Sequence, residues 1–221
     1  MREAYHVELE DLAANLADMS LQAAAAMEKA TRALLDADLS LAEQVIGDDQ
    51  KIDDARAESE EKAYALLALQ APVATDLRTV LAVIHAAESL ERMGDLALHV
   101  AKASRRRHPQ ATLPEPVRKY FAEMGELDVR LAEKVAEVIK SRDVEAARGL
   151  EEEDDRVDEI HRHLFTVIMD KDWEHGVAAA VDITLLGRFY ERFADHAVSV
   201  GKRMVFVATG KMPGYAQNEE L

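Results

Sequence analysis

Cysteine is absent from the 221 residues, which excludes disulfides, thiolate catalysis and thiolate metal ligation together. Any bound metal must take carboxylate or imidazole ligands. Glycine (9) and proline (5) are too few for a turn-rich β architecture, and 48% hydrophobic residues are too many for a disordered acidic chain. Long apolar runs are missing as well. The longest stretch free of Asp, Glu, Lys and Arg spans residues 63–75 and contains Pro72, short of the ~18 residues that a membrane-spanning helix needs. Basic residues are the last shortage. Lys plus Arg is 27 against 43 for Asp plus Glu, a net charge of −16 that repels a phosphate backbone and argues against general nucleic-acid binding. Where an export signal would need a basic and then an apolar segment, the sequence has Glu3, Glu8, Glu10 and Asp11, so a cytoplasmic, mostly helical protein is expected.

What is present is helical periodicity. Leu9, Leu12, Leu16, Met19, Ala23, Ala26, Ala30 and Ala33 alternate steps of three and four, the stripe of one long helix whose small end allows close packing. Asp36-Ala37-Asp38 interrupts it. A second helix is expected through Leu41, Val45, Ile52, Ala63 and Leu66 to Gln70, stopped by Pro72, because a proline ring pushes the preceding residue out of helical geometry. A third carries Leu77, Val80, Ile84, Ala87, Leu90, Ala97 and Val100 and ends in Arg105-Arg106-Arg107, cations suited to the negative end of a helix dipole. Three of the five prolines fall in residues 108–116, the expected linker. Beyond it come a fourth helix (Val117 to Val138), a fifth (Val144 to Ile168) and a sixth (Ile183 to Met204), with a loose tail from Gly210.

The halves repeat each other. Asp48-Asp49-Gln50-Lys51-Ile52-Asp53-Asp54 matches Glu153-Asp154-Asp155-Arg156-Val157-Asp158-Glu159 at an offset of 105, and Leu90-Glu91-Arg92-Met93-Gly94-Asp95-Leu96-Ala97 matches Tyr190-Glu191-Arg192-Phe193-Ala194-Asp195-His196-Ala197 at an offset of 100. A duplicated three-helix unit follows, each copy offering acidic pairs on its second and third helices. Residues four apart share a helix face, so Asp49 with Asp53, Glu91 with Asp95, Asp154 with Asp158, and Glu191 with Asp195 form adjacent carboxylate pairs. A cation would turn that repulsion into a gain, and oxygen-only ligands favour magnesium, manganese, calcium or iron. About eight acidic pairs four apart arise by chance in this composition, so the alternative is a solvated acidic face with local Arg pairing. Arg92 and Arg192 either bond to these carboxylates or face a protein partner.

Other features are weaker. Asp158-Glu159-Ile160-His161 and Glu3-Ala4-Tyr5-His6 have the spacing of di-iron bundle motifs, which suggests a metal-storing or di-iron-type helical-bundle enzyme as the alternative function. His99 stands four past Asp95. No Gly-rich phosphate loop, nucleophile elbow or HExxH motif occurs. Arg105 to Arg107 could touch an anionic lipid or acidic partner, or end a solvated helix. Trp173 could plug a core gap, and the Ala-rich first helix could pack on a second copy of itself.

Duplicated units each ending in Glu-Arg-x-x-Asp-x-Ala, followed by Val and Lys, resemble the PhoU family of phosphate-uptake regulators, actinobacterial in length, over roughly Leu9 to Met204. The resemblance implies an all-α fold of two tandem three-helix bundles, residues 1–107 and 117–209, joined by 108–116 and followed by a flexible tail at 210–221. It implies a homodimer and a regulatory role without catalysis. That role is negative regulation of the phosphate-starvation response, as an adaptor between the phosphate ABC transporter and the sensor histidine kinase, reaching the membrane only through these partners. Some family members carry iron or zinc clusters at such motifs. The resemblance accordingly places metal contacts on Glu91, Asp95, Glu191, Asp195, Asp49, Asp53, Asp154 and Asp158, and partner contacts on Arg92 and Arg192. The family often has His after the motif Asp and Asn three residues later. Here His196 keeps the first, Leu96 does not, and His99 and Ser199 replace the Asn.

Overall fold

The computed structural model describes residues 2–211, and side chains throughout that range except those of Arg2, Glu3, Ala4 and His6. Among them the chain is all-helical: α1 (Arg2–Asp36), α2 (Leu39–Gln70), α3 (Ala74–Arg107), α4 (Glu115–Ser141), α5 (Val144–Arg148), α6 (Leu150–Ile168) and α7 (Gly176–Thr209). Local chemistry sets the boundaries. Asp38 caps α2 by accepting from the Leu41 N–H at 3.1 Å, and Asp143 caps α5 by accepting from Glu145 and Ala146. Helix α2 ends at Gln70 just ahead of Pro72, with Ala71 in the left-handed region at φ 43°. The tail expected from Gly210 falls, beyond Lys211, outside the described residues.

One boundary differs from expectation. The fifth helix is split at Gly149 into α5 and α6, and Ala147 and Leu150 on either side of the break are both buried in the core. Periodicity carries no such signal, because the apolar positions continue at helical spacing across the break.

Helices α1, α2 and α3 pack together, as do α4, α6 and α7, with α5 against α7. The two groups are joined along α1 with α4 and α3 with α7, so one continuous apolar core runs through both. Met19, Met27, Leu90, Met93, Phe121, Met124, Tyr190 and Phe193 are all fully buried there. Ser20 donates to the Ala132 carbonyl at 2.6 Å, and the Thr31 and Tyr190 hydroxyls lie 2.9 Å apart. Each such hydrogen bond contributes about 1 kcal/mol, whereas burying one Leu or Met contributes about 1.5–3 kcal/mol. Apolar contact therefore holds the halves together and the hydroxyls fix their register.

The α1 stripe is consumed inside the chain, Ala23, Ala30 and Ala33 being fully buried, and is not free to meet a second copy. Arg106 and Arg107 stay partly exposed at the end of α3 but are not free there. They converge on Asp182 of α7, Arg106 at 3.2 Å and the Arg107 Nε at 2.9 Å, while Arg78 near the start of α3 lies beside Gly210 at the end of α7. Helices α3 and α7 thus run antiparallel. Trp173 is half-buried against the core edge and donates to the Gly176 carbonyl at 3.0 Å.

Candidate functional site

The helices carrying the repeated acids are neighbours in each half, α2 beside α3 and α6 beside α7. In the first half they approach so closely that a Cβ on Gly94 would stand 2.9 Å from the Ile52 Cδ1, so that a larger residue there would require Ile52 to shift. Gly94 lies between Arg92 and Asp95 in the motif, so the close approach brings both acidic pairs together. Burial, then the charges of Asp53 and Asp95, raises the Asp49 carboxyl above its ordinary range. Burial, then Asp95, does the same for Glu91, against the opposing pull of Arg92 and Arg56. The Arg92 Nη1 donates to Asp95 at 2.7 Å, and its Nε lies 3.6 Å from Glu91. These acids are thus crowded and partly neutralised from within. The His99 Nδ1 meets the Asp95 carbonyl at 2.7 Å and its ring stacks on Phe189 of α7, while its charge still reaches Asp49.

The second half gathers the equivalent set with less compensation. Burial, then the charges of Asp195, Asp158, Asp155 and Glu191, pushes the Asp154 carboxyl up to about 7. Burial, then Asp195, raises Glu191, against Arg188, which pairs with it one turn earlier on α7. One oxygen each of Asp154 and Glu191 is buried with no hydrogen-bond partner. Arg192 does not play the part of Arg92. It is exposed, and no carboxylate lies within ion-pair distance of it among the described residues. Its charge instead helps burial to lower the pKa of His196.

Each set of four predicted acids is therefore brought together, Asp49, Asp53, Glu91 and Asp95 in one half, Asp154, Asp158, Glu191 and Asp195 in the other. The donors are carboxylate oxygens, some of them buried and unpartnered, a set that suits a hard divalent cation better than a soft one. The fit is better in the second half, where no arginine bridges the motif acids as Arg92 does. Among the described residues no three of these groups already surround a common ion position. Of the di-iron-like motifs, Glu3 and His6 lie outside the described side chains. His161 is half-buried, its pKa lowered by burial and by Arg188.

Two acids escaped the sequence reading. Asp182 anchors Arg106 and Arg107, and nothing in the sequence links residues so far apart. Asp128 is fully buried on α4, and its signal was present. Val117, Phe121, Met124, Asp128, Leu131, Val135 and Val138 alternate steps of four and three, so a carboxylate occupies a core position of an apolar stripe.

The chain is similar to known proteins along nearly its whole length. The family pattern described as PhoU domain matches residues 16–104 and 121–204. The chain is 59% identical over 213 residues to the phosphate-specific transport system accessory protein PhoU homolog 1 of Mycobacterium leprae, covering 96% of both chains. It is also 59% identical to the PhoU homolog 2 of Mycobacterium tuberculosis, covering 96% of this chain and 100% of that one. Among solved structures, the phosphate transport system regulatory protein PhoU of Streptococcus pneumoniae superposes with a TM-score of 0.85 at 24% identity, over 94% of this chain and 98% of that one.

Proposed function

The chain belongs to the PhoU family, and from that membership we propose that it is an accessory regulator of phosphate transport that represses the phosphate-starvation response when phosphate is plentiful. The observation that supports this is the match along nearly the whole chain to accessory proteins of the phosphate-specific transport system. In this reading the protein is a cytoplasmic adaptor, working as a homodimer between the phosphate ABC transporter and the sensor histidine kinase. No helix among the described residues is long and apolar enough to cross a membrane, so contact with the transporter runs through its protein surface. In this reading the exposed Arg92 and Arg192, beside the acidic clusters on α3 and α7, contribute contacts to acidic groups of a partner, Arg192 the freer of the two because Arg92 already bonds to Asp95.

The eight clustered carboxylates belong to the same reading as cation ligands. Iron or zinc is the family precedent, and magnesium or manganese suits the oxygen donors. A bound divalent cation would neutralise the crowded charges and tie α6 to α7 and α2 to α3. The residues themselves supply clustered oxygens, with Arg92 bonded to Asp95 and Arg188 to Glu191.

Expression of this chain in a host stripped of its own copies tests the regulatory role. A phosphate-starvation reporter should return to its repressed level in phosphate-rich medium. Continued full derepression, with the protein present at normal abundance, would count decisively against the proposal.

A further inference from the structure

We propose that the cleft between the 108–114 linker and the start of α7 binds one phosphoryl oxyanion, either free phosphate or the phosphate end of a small metabolite. The cleft has a volume of about 380 Å3. The end of α3 lines it with Arg107, the linker with Gln110 and Thr112, and the start of α7 with His175, Ala178 and Asp182. Three hydrogen-bond donors there are unspent. No side chain caps α7, so the N–H of Ala178, in its first turn, has no intrahelical partner. Arg107 gives its Nε and Nη2 to Asp182 and keeps Nη1. Thr112 is only 6% exposed, yet its hydroxyl has no hydrogen-bond partner among the described residues. Polar groups buried that far are ordinarily satisfied by protein, water or a ligand. A phosphate, with several acceptor oxygens, suits a guanidinium, a hydroxyl and a helix N-terminus together.

The local charge is positive in an otherwise acidic molecule. Arg106 at 3.2 Å and Arg107 at 2.9 Å share the single carboxylate of Asp182, which leaves one positive charge, and the α7 N-terminus adds about half a charge. Asp182 repels an anion, but it also holds the Arg107 guanidinium in place and so lowers the ordering cost of binding. Glu115 and Glu174, the acids flanking the cleft in sequence, are exposed, and Glu115 pairs with Arg118 at 3.3 Å. The site is single. At the offset of 100 that aligns α3 with α7, Asp182 corresponds to Ala82, which is buried and apolar.

This site is independent of the acidic clusters and of the regulatory reading, and its failure would leave both standing. Full-length protein dialysed free of phosphate and titrated calorimetrically at low salt, with inorganic phosphate and separately with ADP, tests it. Wild type is expected to bind one ligand per chain. Thr112→Val keeps the side chain's shape, removes the hydroxyl and should weaken binding about threefold or more. Arg107→Gln combined with Asp182→Asn removes the guanidinium without stranding the carboxylate or changing the net charge, and should weaken binding about tenfold or more. Arg105→Gln is the control for general attraction to the arginine run: Arg105 lies 3.5 Å from Glu43, outside the cleft, and its loss should leave affinity unchanged. Melting each variant without ligand reports its fold, and Thr112→Val carries the test should the Arg107 pair fail to fold. Tighter binding of ADP than of phosphate would identify a phosphorylated metabolite as the ligand, and the reverse would identify the free ion. No binding of either at millimolar concentration, or equal binding by wild type and Thr112→Val, would overturn the proposal.

Discussion

At the residue scale the clustered carboxylates make stability depend on pH in an unusual direction. The Asp154 carboxyl, lifted by burial and then by four acidic neighbours from 3.8 to about 7, binds its proton more tightly in the folded chain than in the unfolded one. Its contribution is complete below the unfolded pKa, near pH 4, and is lost as pH rises towards 7. Burial and like charges raise Asp49, Glu91 and Glu191 as well, so all push the same way. His161 and His196, lowered by burial, pull the opposite way over the same range, so the carboxyls' share of the slope between about pH 5 and about pH 8 is the part that Asp154 controls. Asp154→Asn should flatten that slope, which differential scanning calorimetry across the range would measure. Helical spacing puts these eight acids on shared faces in pairs. It could not show which were buried, because exposure depends on the helices packed across from them.

At the element scale the join between α1 and α4 depends on a missing side chain. A Cβ on Gly125 would lie 2.6 Å from both Thr31 Cγ2 and Oγ1, and Thr31 is β-branched and held by its bond to Tyr190. Alanine in a helix is worth about 1 kcal/mol over glycine, but overpacking a fixed core costs about 1–3 kcal/mol. The steric term wins. Gly125→Ala should destabilise by on the order of 1–2 kcal/mol in urea unfolding, and adding Thr31→Ala should cost less than the sum of the two single changes. Helix positions were legible from apolar stripes, the Pro72 stop and the Pro-rich linker. The split of α5 from α6 was not, since the apolar positions keep helical spacing across Gly149.

At the scale of the whole molecule the net charge of −16 is concentrated further by the two acidic clusters. Self-repulsion of this kind is screened within about a Debye length, roughly 10 Å at 0.1 M salt. Raising NaCl from about 20 mM to about 500 mM should lift the melting temperature of chelated protein by a few degrees. A fall or no change would mean that local pairs such as Arg92 with Asp95 already cancel the repulsion.

The sequence by itself determined the helical class, the duplication and the four acidic pairs, because periodicity, proline and repeated motifs act over one or two helical turns. It also determined the absence of thiol chemistry. Tertiary structure alone decided that one core runs through both halves, that Arg106 and Arg107 are bound to Asp182, and that Arg92 neutralises its motif while Arg192 does not. It also decided that Asp128 is fully buried with no hydrogen-bond partner for either oxygen. Each of these depends on residues distant in the chain meeting across helices, and no local pattern encodes which faces will meet.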